Sequence, residues 1–125
     1  MRYDTLEKRL TDLFDGGGGD AIYRVDISLK CKTKDGMVYT MDGIEFHREK
    51  DQPKDFFRDK IFSQTLLNVL EYQELVSRDP EGFRVSCHEC VAVKSSEIIR
   101  IWADIEESWV DGPSLEAVEE DEPIS

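Results

Sequence analysis

Apolar positions first recur at helical spacing. Tyr3, Leu6, Leu10, Leu13 and Phe14 fall on one side of a helix predicted over residues 4–14, and Glu7 follows Asp4 at capping-box spacing. The pattern stops at Asp15 and the four glycines 16–19. A phosphate cradle needs a strand before its glycines and a helix after them; here the order is reversed and no Gly-Lys-Ser or Gly-Lys-Thr follows. The glycines therefore read as a helix exit. The period then changes to two. Ala21, Tyr23, Val25, Ile27, Leu29 and Cys31 alternate with Arg24, Asp26, Ser28 and Lys30, Ile22 being the one apolar exception on the polar side. This is the signature of a half-buried antiparallel strand.

Thr33-Lys34-Asp35-Gly36 predicts a tight turn into a return strand over residues 37–41. Asp42-Gly43 marks a bulge or second turn before a short third run, Ile44-Glu45-Phe46-His47. A second helix starts near Asp51, Pro53 or Asp55 and ends at Asp79-Pro80, with Phe57, Ile61, Phe62, Leu66, Val69, Leu70, Leu75 and Val76 as its apolar face. Two further strands are expected over residues 83–93 and 97–105. On the second, Ile99, Ile101, Ala103 and Ile105 are expected inward, and Arg100, Trp102, Asp104 and Ile98 outward. The order α-β-β-(β)-α-β-β predicts an α+β fold, a two-layer sandwich with an antiparallel sheet of four to five strands and two helices on one face. A single domain is expected over residues 1–108, followed by an acidic C-terminal tail, residues 109–125.

Charge changes this picture most. The 125 residues hold 28 Asp and Glu against 16 Lys and Arg, a formal charge of −12. From residue 101 onward there is no Lys or Arg, but nine acids: Asp104, Glu106, Glu107, Asp111, Glu116, Glu119, Glu120, Asp121 and Glu122. Such a run is a solvated or an interaction tail. Direct nucleic-acid binding is disfavoured, because it rests on clustered cations and the sole basic stripe is Lys30, Lys32 and Lys34. That stripe is a basic edge the acidic tail can itself cover. No run of about eighteen apolar residues predicts a membrane span. The first residues show no secretory pattern, and three cysteines suit a reducing cytoplasm.

Cys87-His88-Glu89-Cys90 invites a zinc reading, with Cys31 and His47 as the remaining ligands. Within a continuous strand, however, residues three apart face opposite ways, so the pair can share an ion only if the strand breaks. Calcium lacks its EF-hand spacing. Catalysis lacks a nucleophile–base constellation, and no cofactor is expected.

The resulting expectation is a small acidic non-catalytic protein-binding module. As an inhibitor or immunity-type protein it would occupy a basic surface of its target through Asp104, Glu106, Glu107, Asp111, Glu116, Glu119, Glu120, Asp121, Glu122, Trp102 and Trp109. The element order and acidity also resemble those of the small dimeric chaperones of type III secretion. That resemblance implies a homodimer that holds a client segment in an apolar groove. A zinc or calcium module on Cys31, Cys87, Cys90 and His47 is the third reading.

Overall fold

The computed structural model describes the backbone of residues 3–16, 18–86 and 90–110, and the side chains of residues 5–16, 18–86 and 90–106. Helix α1 (Tyr3–Asp15) comes first. Strand β1 (Ile22–Thr33) and strand β2 (Val38–His47) form a hairpin. Helix α2 (Lys54–Arg78) leads to two short strands, β3 (Phe83–Val85) and β4 (Ala92–Lys94), and then to the long strand β5 (Ile98–Val110). Single 3-10 turns at Gly19–Ala21 and Ser95–Glu97 precede β1 and β5.

The α+β class with antiparallel pairing agrees with the sequence. Among the described residues the expected sheet of four to five strands divides in two: three strands in the order β2-β1-β5, and β3-β4 as a separate two-stranded ribbon. The third run at Ile44 is not a separate strand either. β2 continues through Asp42-Gly43, and the ladder shifts register between Leu29 and Lys30 of β1, leaving Met41 as the extra residue of a bulge.

The core explains the layering. Leu6, Leu10 and Phe14 of α1 and Phe57, Ile61, Thr65 and Val69 of α2 are buried against Val25, Ile27, Leu29 and Cys31 of β1, Phe46 of β2, and Ile101 and Ala103 of β5. The α2 set recurs every four residues, so one stripe of the helix faces inward. Phe14 and Phe57 meet edge to face with ring centres 5.7 Å apart and join the two helices. Two glycines serve this geometry. At Gly19 an added Cβ would overlap the backbone of Phe14, so the chain leaves α1 only by pressing glycine against the helix end. Gly36 closes the β1–β2 turn at φ +88, where a side chain would be strained.

Three expectations about facing are corrected by bulges and by a break. β5 pairs with β1 with register shifts at Ile22/Arg24, Asp26/Ile27 and Lys32/Thr33. The last leaves Ile99 as the extra residue: it is 58% exposed, and Ile98 packs on the core in its place. The first accompanies the burial of Ile22, expected on the polar side. The stretch expected as one strand over residues 83–93 folds back on itself. Ser86 N–H bonds the Val91 carbonyl at 2.9 Å, and Cys90 adopts φ 54. Val93 is buried, whereas Val85 and Val91 are exposed.

Candidate functional site

With both helices on one face, the opposite face of the sheet carries the alternate residues of each strand. Along β1 these are Arg24, Asp26, Ser28, Lys30 and Lys32; along β5 they include Arg100, Trp102 and Asp104; along β2 they include Glu45 and His47. Most of this face is occupied by ion pairs among its own residues. Arg24 binds Asp26 at 3.1 Å and Glu45 at 3.0 Å. Lys30 binds Glu106 at 2.9 Å and Asp104 at 3.6 Å. The hydrogen bond to Glu106, followed by the attraction of both carboxylates and opposed by partial burial, holds the Lys30 ammonium above its ordinary value. Arg9 of α1 reaches round the β5 edge to Asp104 at 3.0 Å.

Trp102 is fixed within this network. Its indole N–H donates to Asp104 Oδ2 at 3.1 Å, and the Arg100 guanidinium lies 4.5 Å from its ring centre. An exposed cation–π contact of this kind is worth about 0.5–1 kcal/mol. Lys32 and Arg100 are direct cross-strand partners, and neither has an ion-pair partner among the described residues.

The predicted partner-binding residues therefore divide. Asp104 and Glu106 lie in β5, and their charges are taken by Arg9 and Lys30. Glu107 and Trp109 stand opposite Asp26 and Arg24 in the ladder. Asp111, Glu116, Glu119, Glu120, Asp121 and Glu122 lie outside the described residues. Of the expected basic edge, Lys30 is occupied; Lys32 and Lys34 are not paired with an acid among the described residues.

The alternative metal ligands are not brought together. Cys31 is buried in the core, where loss of hydration raises its thiol pKa, opposed by a backbone hydrogen bond at Tyr39. His47 is exposed and projects from the other face. It pairs with Arg24, seven residues along β1 from Cys31, or roughly 23 Å at the rise of a strand. Cys90 is exposed in the β3–β4 loop, and Cys87 lies outside the described residues. The expected strand does break, between Val85 and Ala92, but among the described residues no three His, Cys, Asp or Glu side chains gather as a metal site.

Grooves on the described surface are open, with mixed polar and apolar linings. One of about 490 Å³ runs between Asp42 and the C-terminal half of α2, where the Tyr72 hydroxyl donates to Asp42 at 3.2 Å. A second feature lies on the outer side of α2 and corrects the expected apolar face at Leu70, which is exposed. Phe56, Leu67 and Leu70 of α2 are exposed. Their spacings of eleven and three residues bring them to one side of the helix.

Comparison with protein-family models, with curated proteins and with solved structures finds no match. Among the described residues no helix is long and apolar enough to cross a membrane.

Proposed function

We propose that the protein is a non-catalytic protein-binding module that occupies a basic surface of its target, as an inhibitor or immunity-type protein does. One observation carries the reading. The fifteen residues after Val110 hold six acids and no Lys or Arg, and they continue directly from strand β5. The body neutralises its own β5 acids, Asp104 and Glu106, through Arg9 and Lys30. Half of the formal charge of −12 thus lies in the fifteen residues beyond Val110. A charged segment of this kind steers association with a basic surface and sets its salt dependence.

The test compares the full chain with a full-length variant in which Glu116, Glu119, Glu120 and Glu122 become Gln and Asp121 becomes Asn. Each is immobilised and exposed to host lysate. The reading expects a discrete basic protein held by the native chain, released as salt rises, and not held by the variant. Equal retention by both, or no retained protein, overturns it. The second reading, a dimeric chaperone, is favoured by the exposed Phe56, Leu67 and Leu70 on α2. It expects a dimer mass in light scattering that Leu67→Glu reduces to a monomer.

A further inference from the structure

Strand β3 is inverted in polarity. Arg84 turns inward beside its cross-strand partner, buried Val93, while Phe83 and Val85 point outward and are 58% and 62% exposed. The arginine is poorly served there: its Nε is buried with no hydrogen-bond partner among the described residues, and its guanidinium approaches Asp79 only at 3.9 Å. A slip of one residue in pairing would exchange the two faces and bury the apolar pair. A polar group turned in beside large apolar groups turned out is the departure from ordinary burial that carries information. Ala92, opposite Val85, is exposed on the same outward face, and Lys94 stands opposite Phe83. The ribbon therefore offers an apolar face of the kind that marks a contact site.

That face forms one wall of a groove of about 260 Å³. Phe83, Ala92 and Lys94 line it from the ribbon, Asp35 and Tyr39 from the β1–β2 hairpin, and Glu97 from the turn before β5. Small-molecule pockets span about 300–1,000 Å³, so this smaller space suits one or two side chains of a protein. Its charge is unbalanced. Lys94 is drawn to Glu81 at 3.2 Å, and Glu97 has no ion-pair partner among the described residues. Asp35 is held in place by the Thr33 hydroxyl and the Met37 backbone N–H, neither of which brings a positive charge. We propose that this groove and the ribbon face beside it seat an extended segment of the partner that carries an apolar side chain flanked by Lys or Arg. The apolar group packs on Phe83 and Val85, and the cation meets Asp35 and Glu97. A second copy of this chain fits less well, because it brings a further formal charge of −12 to an acidic groove.

This seating deepens the proposed function and rests on its basic partner, though not on the acidic segment beyond Val110. Its test therefore uses the full-length chain with Glu116, Glu119, Glu120 and Glu122 changed to Gln and Asp121 to Asn, where that segment cannot hold the probe. Either idea can then fail while the other stands. The probe is the capped peptide acetyl-Lys-Phe-Lys-Val-Lys-amide, compared with acetyl-Glu-Phe-Glu-Val-Glu-amide, and binding is followed by NMR of the Val85 and Ala92 methyl groups. Seating expects saturable shifts of both residues with the lysine peptide and about tenfold weaker binding of the glutamate peptide. It also expects about tenfold weaker binding of the lysine peptide by Phe83→Ser, as for loss of an aromatic anchor, and a severalfold loss by Glu97→Gln. Both side chains are exposed, so both variants should keep the native melting temperature. Equal binding of the two peptides, shifts that never saturate, shifts centred on Leu67 and Leu70 of α2, or native binding by both variants would each overturn the proposal. A dimer mass in light scattering that Phe83→Ser abolishes would overturn it too, by giving the face to a second copy.

Discussion

Thr65 offers the sharpest quantitative prediction. It lies on the inward stripe of α2 between Ile61 and Val69, its side chain is fully buried, and its hydroxyl oxygen has no hydrogen-bond partner among the described residues. An unpartnered buried hydroxyl costs about 1–3 kcal/mol. Thr65→Val replaces that hydroxyl with a methyl of similar size, and the two residues have similar helix propensity, so the helix itself contributes little to the difference. The stability gain should be about 1–2 kcal/mol. For a body of this size the melting temperature should rise by about 4–8 °C. Thr65→Ser keeps the hydroxyl and removes a methyl, so it should lose about 1 kcal/mol to the void. Urea unfolding followed by circular dichroism separates the two, because a shift in midpoint at constant slope reports stability alone. A Val variant less stable than the native protein would refute the reasoning, since it would mean that the hydroxyl is bonded in solution.

Other expectations follow from the same packing. Gly19→Ala should cost about 1–3 kcal/mol, as overpacking does, because the added carbon meets the rigid backbone of Phe14 rather than a movable side chain; thermal melts check this. Brief alkylation of the native protein should label Cys90 and spare Cys31, the latter reacting only on unfolding, with mass spectrometry as readout. Asp35 accepts hydrogen bonds from the Thr33 hydroxyl and the Met37 backbone N–H, which hold its carboxyl below the ordinary value. Its stabilising effect is complete above the unfolded carboxylate pKa and is lost as pH falls through the lower folded value. Urea titrations from neutral to acid pH should therefore show a shallower acid loss in Asp35→Asn than in the native protein.

Periodicity made some elements legible and left others out of sight for definable reasons. β1 was readable because its alternation is nearly unbroken, and α2 because Pro53 and Asp79-Pro80 bracket it. The facing of β5 was readable from Arg100 to Ile105 but not at Ile98 and Ile99, since one inserted residue exchanges the two faces of a strand. The bulge that exposes Ile99 and turns Ile98 inward leaves no mark on composition. Residues 83–93 alternate well enough to pass for one strand, and the reversal depends on Cys90 adopting a positive φ that no glycine announces. The acid-rich segment was plain from charge counting. That Asp104 and Glu106 are paired with Arg9 and Lys30, and that Lys32 meets Arg100, required the pairing of β1 with β5, two strands separated by most of the chain.

The account rests most heavily on the acidic residues beyond Val110 as the element that meets a partner. The measurement that tests this directly is the dissociation constant between the full chain and the protein it captures, followed from about 0.05 M to about 0.5 M NaCl, where the Debye length shortens severalfold. The account predicts a steep weakening with salt in the native chain, and a weak, nearly salt-independent affinity once Glu116, Glu119, Glu120, Asp121 and Glu122 are neutral. An affinity that ignores salt and survives neutralisation would contradict it and move the binding surface onto the folded body.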